Sequence, residues 1–319
     1  MGSGHSDLDD TANAEGGDVG AAENGVSLTV PPEVAARIER LAVPFVDRLV
    51  GAPFGSPAFA RALAAVERIG EPEVQSTTQI TGAFRNRPTR ALHALLDADG
   101  SLTRNLRELR GEAERLQQET RPSDSARRLA RSERRIRDLV AALDVDRAAL
   151  ELDNATIGQL ERALWGEIDG LREDAALAAR LDALVEDRIE RLRDTDPDRA
   201  RRLQLDALFA IRRRRRDLVM QLAVATQGYS ALRLIEHDNL EVIWAIRSAA
   251  TTTTSAIRTA SLAIDRVADR ELPSHADLLE TDDAWSEVLR ALDRVEDRKR
   301  VTLGELSARP ATPPPASIG

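Results

Sequence analysis

Apolar and small side chains recur at alternating spacings of three and four residues along the second half of the chain. The repeat occupies Leu208, Ile211, Arg215, Leu218, Leu222, Ala225, Tyr229, Leu232, Glu236, Asn239, Ile243, Ile246, Ala250, Thr253, Ile257, Ala260, Ile264 and Val267. A mean spacing of 3.5 residues is typical of the buried seam of a coiled coil. The pattern therefore predicts a long helix that packs along its length against another helix.

The spacing of proline residues predicts how long the helices are. No proline lies between Pro122 and Pro197, or between Pro197 and Pro273. These spans predict two helices of about 70 residues, each about 105 Å long. The polar segment RDTDPDRA at 193–200 predicts a turn that makes the two helices an antiparallel hairpin. Residue i of one arm then faces about residue 393 minus i of the other, and a third helix at about 278–306 packs back along the hairpin.

Proline and glycine are dense before Pro122 and cut that region into short helices. One of these helices is predicted to begin at Pro57, with Ser56 as its N-cap residue and proline at the first helical position. The predicted fold is an elongated, all-α, long-helix antiparallel coiled-coil bundle with a smaller N-terminal helical subdomain. Its predicted divisions are a disordered tail at 1–30, a short-helix subdomain at 31–121, the hairpin with its C-terminal helix at 122–306, and a proline-rich tail at 307–319.

The amino-acid composition mainly excludes several kinds of functional site. The chain has no cysteine, which excludes disulfides, cysteine-ligated metals and thiol nucleophiles. Lys299 is the only lysine and no Gly-Lys-Ser/Thr sequence exists, which excludes a Walker A loop. No histidine pattern or acid pair points to a metal or to catalysis, so we expect no cofactor, no metal and no enzymatic activity. We also expect a cytoplasmic protein without a transmembrane segment or secretory signal.

Several seam positions carry polar or aromatic residues. Asn239 falls opposite Asn154 in the predicted register, and a hydrogen bond between them would fix the alignment of the two helices. Gly228 falls opposite Trp165, so we expect the glycine to make room for the indole. Asn154, Trp165, Gly228 and Asn239 are therefore predicted to be structural residues of the seam. The alternative is that the polar residues form a site for a ligand or a partner.

Two further segments admit two interpretations each. The hydroxyls of Thr251–Thr254 either bond back to the preceding turn or, with Arg258, hold an oxyanion. The five arginines at 212–216 either pair with acids near Glu173 and Asp174 or bind a partner or an anionic membrane surface. Nucleic acid is the least favoured partner, because the chain carries a net charge of −9.

The segment RRRRRDLVMQLAVATQGYSALRLIEHDNLEVIWAIRSAATTTTSAIRTA, residues 212–260, resembles the signature region of the toxic anion resistance family, the TelA-like tellurite resistance proteins. The segments LELDNATI at 150–157 and SPAFARALAAVERIGEPEV at 56–74 are also similar to members of that family. The positions that match the signature are Arg216, Asp217, Gln221, Gln227, Gly228, Tyr229, Asn239, Thr254, Arg258 and Thr259. The resemblance implies a cytoplasmic bacterial protein associated with tolerance of tellurite and of envelope-directed agents.

The leading hypothesis from the sequence is a non-enzymatic helical scaffold that binds other proteins of a stress-resistance system. The alternative is an oxyanion-binding protein that uses Gln221, Gln227, Tyr229, Asn239, Thr254 and Arg258. A third hypothesis is a coiled coil that binds nucleic acid through its arginine run. Self-association through the coiled coil and peripheral contact with a membrane stay open beside these.

Overall fold

The computed structural model describes residues 28–86, 94–118, 122–268 and 275–308, and no β-strand occurs among them. The helices are α1 (Pro32–Gly51), α2 (Pro57–Glu67), α3 (Glu71–Asn86), α4 (Ser101–Gln117), α5 (Pro122–Leu192), α6 (Pro197–Arg202), α7 (Phe209–Ala268) and α8 (His275–Ala308). The predicted all-α class is therefore confirmed. The predicted tails at 1–30 and 307–319 lie almost entirely outside the described residues.

The two long helices α5 and α7 form the predicted antiparallel hairpin. The chain reverses at residues 193–196, where the Asp196 side chain accepts a hydrogen bond from the Arg199 amide, 3.1 Å long, and caps α6. Farther along, Asn154 of α5 lies against Asn239 of α7 and Trp165 lies against Tyr229. These pairs agree with the predicted register.

A π-helix at Leu203–Leu208 joins α6 to α7, and the spacing of apolar residues did not predict it. A π-helical turn takes up more residues than an α-helical turn, so it changes which side chains face the core. Here it buries Leu203, Ala207 and Leu208 and leaves Leu205 exposed. The regular 3.5-residue repeat of α7 begins where this segment ends.

The described chain divides into two compact units. Unit 1 contains the residues up to Val74 together with Ile168–Val224, and unit 2 contains the residues of Gln75–Glu167 and Ala225–Gly319. Each unit thus combines short helices with one part of each long helix. This division does not follow the predicted boundary between 121 and 122, because each unit contains residues from both sides of it.

The core of unit 1 is built from α1, α2, the C-terminal part of α5 and the chain around the π-helix. Helix α1 runs alongside α5, where Arg180 donates two hydrogen bonds of 2.5 and 2.7 Å to Glu39 and Arg188 donates one of 2.6 Å to Asp47. Arg199 donates to the Val50 carbonyl near the end of α1. These contacts fix the position of α1 along the hairpin.

Unit 2 is a helical bundle in which α4 packs against α8 beside parts of α5 and α7. The buried carboxylate of Asp146 on α5 accepts hydrogen bonds from Ser101 (2.6 Å) and Asn105 (2.9 Å) of α4. Arg298 of α8 pairs with Glu241 of α7 at 3.0 Å. Helix α8 therefore packs against the hairpin, as the sequence predicts for the third helix.

Candidate functional site

The seam of α7 is shielded from solvent throughout its described length. Every position of the repeat from Leu208 to Ala260 is buried or half-buried. The half-buried members are Arg215, Tyr229, Glu236 and Ile243. The polar residues of the repeat therefore do face the interior, and the question becomes what each of them contacts there.

Asn239 is fully buried and lies at the centre of an amide cluster in unit 2. Its Nδ2 donates a hydrogen bond of 2.7 Å to Asn154 Oδ1 and a longer one of 3.4 Å to Asp153 Oδ2. Asn154 Nδ2 in turn donates to the Glu236 carbonyl at 3.3 Å. A side chain that donates across the seam at one place resists sliding of one helix past the other.

The same cluster contains one unsatisfied acceptor. Asn239 Oδ1 has no hydrogen-bond partner among the described residues. Burial raises the pKa of Asp153, while the hydrogen bond from Asn239 lowers it and offsets part of the rise. A protonated Asp153 carboxyl would offer a donor to this cluster, so the cluster is both polar and sensitive to protonation.

Trp165 and Gly228 do not occupy the places predicted for them. The Trp165 side chain is 48% exposed and lies at the edge of the hairpin, where its ring packs at a tilt on Tyr229 with centroids 5.1 Å apart. A Cβ on Gly228 would meet Thr81 Cγ2 at 3.3 Å and Leu164 Cδ2 at 3.7 Å. The glycine thus makes room for α3 and for Leu164, and the prediction that it accommodates Trp165 is wrong.

The reason lies in the repeat of the facing helix. The buried positions of α5 include Leu143, Leu150, Ile157 and Leu164, which are seven residues apart. Trp165 follows the last of these and therefore points off the seam. Reading the heptad of α5 as well as that of α7 would have placed Trp165 correctly.

The four consecutive threonines bond back to the preceding turn of α7. Each hydroxyl donates to the carbonyl four residues earlier, at 2.9 Å for Thr251, Thr252 and Thr254 and 2.7 Å for Thr253. Only Thr253 is buried, in the seam. Because the hydroxyl protons are used within the helix, these residues do not present a row of donors to an anion.

The six candidate binding residues are not brought together. Gln227, Thr254 and Arg258 are exposed, Gln221 and Tyr229 are half-buried, and Asn239 is buried. In a continuous helix the 31 residue steps from Gln227 to Arg258 correspond to about 46 Å. One small oxyanion therefore cannot contact both of these residues. Of the other signature positions, Arg216 and Asp217 are exposed and Thr259 is half-buried.

Three of the five consecutive arginines are used inside unit 1. Arg212 and Arg215 both donate to the buried carboxylate of Asp182 at 2.9 Å, and Arg212 also reaches Glu186 at 2.9 Å. Arg214 donates to the Ile69 carbonyl at 2.5 and 2.7 Å, just beyond the end of α2.

The prediction that the arginines pair with acids near Glu173 and Asp174 is met only by Arg214, whose charge lowers the pKa of Asp174. The register sets Arg212 beside Asp182, about two helical turns farther along α5.

Sequence reasoning missed one pair of acids in unit 1, Glu73 of α3 and Asp174 of α5. Burial, together with the nearby carboxylates of Glu73 and Glu173, raises the pKa of Asp174 to about 6, and Arg214 opposes the rise. A Cβ on Gly170 would lie 2.9 Å from Glu73 Cγ. The signal in the sequence is this glycine, since a residue without a side chain lets the start of α3 approach α5 closely.

Within the described residues, no group of three or more histidine, aspartate or glutamate side chains is arranged to bind a metal ion. Over that same part of the chain, no helix has the length and hydropathy needed to cross a bilayer.

Comparison with known proteins gives the family. The model of the toxic anion resistance protein (TelA) family matches residues 58–268, from the start of α2 to the end of α7. Neither a search of curated proteins nor a search of solved structures found a match. Because the match covers more than half of the chain, the protein belongs to the toxic anion resistance (TelA) family.

Proposed function

We propose that this chain is a non-enzymatic helical scaffold of a toxic anion and envelope-stress resistance system, and that it acts by binding other proteins. Membership of the TelA family supports a role in resistance to toxic anions such as tellurite. The observation that carries the scaffold role is that several polar residues of the segment 212–260 serve the fold. Asn239 aligns the hairpin, the threonines bond within α7, and Arg212, Arg214 and Arg215 bind groups of unit 1.

A scaffold needs an outer surface that a partner can bind, and α7 offers one. Leu240 and Trp244 are one helical turn apart and are 51% and 73% exposed. Arg247 is exposed beside them. Tryptophan and arginine are the residue types that most often dominate the binding energy of protein interfaces. We therefore assign the recruitment of a partner protein to this part of α7.

Growth of a deletion strain across a series of tellurite concentrations tests the proposal. Complementation with the wild-type chain should restore growth, and the L240A/W244A variant should fail to do so while retaining wild-type circular dichroism. The matched control is L205A, which truncates an exposed leucine of unit 1 and should complement fully. A deletion strain that grows like its parent would contradict the resistance role, and full rescue by L240A/W244A would contradict the surface.

The second candidate function is binding of the oxyanion itself. It is favoured by one observation, the exposure of Arg258 on α7. Calorimetric titration of the purified chain with tellurite separates the two proposals. A scaffold gives no heat of binding, whereas an oxyanion-binding protein gives heat that the R258A variant loses.

Nucleic acid is further disfavoured as a partner. Of the arginines at 212–216, Arg212, Arg213 and Arg216 are exposed. Arg212 already pairs with Asp182 and Glu186, which leaves Arg213 and Arg216 for a nucleic acid. Two neighbouring guanidinium groups on a chain of net charge −9 make a weak electrostatic footprint for a phosphate backbone. The absence of DNA binding at low salt is the expected result.

A further inference from the structure

Helix α5 carries a second stripe of positions at coiled-coil spacing on its outer side. The stripe consists of Asp138, Ala141, Val145, Ala148, Leu152, Ala155, Gln159 and Arg162, and all eight residues are exposed. Val145 and Leu152 are 70% and 71% exposed, which is unusual for branched apolar side chains. We call these eight residues the outer stripe.

The outer stripe is separate from the seam that binds α7. The seam of α5 contains Leu139, Leu143, Leu150 and Ile157, all buried, and the outer stripe lies between them in the sequence. The outer stripe advances by alternating steps of three and four residues, and the last three of these seam residues are seven apart. Helix α5 therefore has two faces suited to helix packing, and among the described residues only one of them is covered.

The charges of the outer stripe determine which partner fits it. The acidic end is Asp138 and the basic end is Arg162, with apolar residues and one glutamine between them. A second copy in parallel orientation would set aspartate against aspartate and arginine against arginine. A second copy in antiparallel orientation sets Asp138 against Arg162 at both ends.

The shapes of the side chains favour the same arrangement. With residue 150 at the twofold axis, Val145 of one copy faces Ala155 of the other, and Ala148 faces Leu152. Each large residue then meets a small one, as close packing of two helices requires. Ala141 faces Gln159 in the next layer. The stripe is thus complementary to itself when reversed.

The residues beside the outer stripe are compatible with this pairing. Arg147 pairs with Asp144 at 3.2 Å and with Glu151 at 2.7 Å. The acids that flank the stripe near the twofold axis are thereby partly neutralised within each copy. Their repulsion across the axis is reduced accordingly.

From these observations we propose that two copies of this chain associate through the outer stripe of α5, as an antiparallel coiled coil centred near residue 150. The 25 residues from Asp138 to Arg162 span about 36 Å of helix. An interface of one helix pair of this length is at the small end of specific protein interfaces, so the dimer should form at micromolar rather than nanomolar concentration. The proposal concerns self-association and does not depend on the identity of the toxic agent.

Sedimentation equilibrium of the full chain tests the self-association. The wild-type chain should dimerise reversibly, and V145E/L152E should raise the dissociation constant at least tenfold without lowering the melting temperature. The matched control is L234E, which adds a charge at an exposed leucine of α7 and should leave the dissociation constant unchanged. A wild-type chain that is monomeric at 100 μM, or an equal effect of L234E, would overturn the proposal.

Orientation is tested by crosslinking, and the cysteine-free chain gives no background. In the antiparallel pair Ala141 faces Gln159, whereas two copies of Ala141 are about 27 Å apart along the axis. An equimolar mixture of A141C and Q159C chains should therefore form a disulfide-linked dimer on mild oxidation, and neither variant alone should do so. Crosslinking of A141C with itself would show a parallel pair and would contradict the proposed arrangement.

The charge pairs give a rescue experiment. D138R alone and R162D alone should each weaken the dimer, because each places like charges together at both ends. The double variant D138R/R162D exchanges the charges and should restore the wild-type dissociation constant. A double variant that dimerises no better than either single variant would rule out the end pairing.

Discussion

The two units use the same pair of long helices but stabilise the polar part of the seam in opposite ways. In unit 1 a buried carboxylate, Asp182, is held by two charged side chains, Arg212 and Arg215. In unit 2 the corresponding role falls to neutral amides, Asn154 and Asn239. Charges give the stronger attraction but depend on both partners being present, whereas an amide pair costs less to bury and still specifies alignment.

The units also differ in how closely their short helices approach the hairpin. In unit 1 Gly70 lies in the turn before α3, where it has a left-handed conformation with φ of +70° and is close to Leu218 and Asp174. In unit 2 the close approach of α3 depends on Gly228, which has ordinary helical geometry. Unit 1 should therefore be more sensitive to substitution than unit 2.

The largest loss of stability is expected from a substitution of Asp182. The D182A variant removes the buried acceptor of two guanidinium groups, and we expect a loss of about 3 kcal/mol in the free energy of unfolding. Chemical denaturation followed by circular dichroism measures it. E186A is the matched control, since Glu186 contacts Arg212 from an exposed position and its removal should cost less than about 1 kcal/mol. Equal losses in the two variants would show that the burial of Asp182 is unimportant.

The next largest loss of stability is expected from G70A, because a steric clash and an unfavourable backbone conformation add at this position. In G70A the new Cβ would lie 2.7 Å from Leu218 Cδ2, and the left-handed backbone disfavours a side chain. We expect a loss of about 2 to 3 kcal/mol in the free energy of unfolding. Gly55 has a similar φ of +73° but open space around it, so G55A should cost about 1 kcal/mol. The difference between the variants measures the packing at Gly70.

Substitution of one amide of the Asn154–Asn239 pair in unit 2 should cause a smaller loss of stability, and substitution of both should restore it. N239L leaves Asn154 without its donor, and we expect a loss of about 1 to 2 kcal/mol. In N154L/N239L both polar groups are gone, and stability should return to the wild-type value or above it. The double variant should lose alignment instead, which disulfide trapping across the hairpin at several registers would detect. A further loss of stability in the double variant would contradict this account.

The smallest change in stability is expected from Asp174, whose contribution depends on pH. Because the pKa of Asp174 in the folded chain, about 6, lies above its ordinary value of 3.8, the folded state binds this proton more tightly than the unfolded state. The contribution of Asp174 to stability therefore decreases as pH rises from about 4 to 6.

We expect D174N to stabilise the chain by up to about 1 kcal/mol at pH 7.5 and not at pH 4, given the partial exposure of the group. An equal effect of D174N at the two pH values would contradict this account.

The sequence was sufficient to predict the hairpin, its register and the burial of Asn239 and Thr253. These follow from periodic patterns along a single helix, together with the position of one turn. The place of Trp165 and the partners of the arginine run depend on which face of α5 each residue takes, and that needed the heptads of both arms. The acid pair of Glu73 and Asp174 depends on tertiary contact between α3 and α5, which no local pattern specifies.

The pairing of α1 with α5 has a consequence for synthesis of the chain. The contacts of Glu39 and Asp47 are with arginines 141 residues farther along. At a translation rate of about 5 to 20 residues per second, α1 leaves the ribosome roughly 7 to 28 s before the segment that covers it. During that interval the side of α1 that packs on α5 is uncovered, so the order of synthesis leaves an apolar helix face that a chaperone can bind.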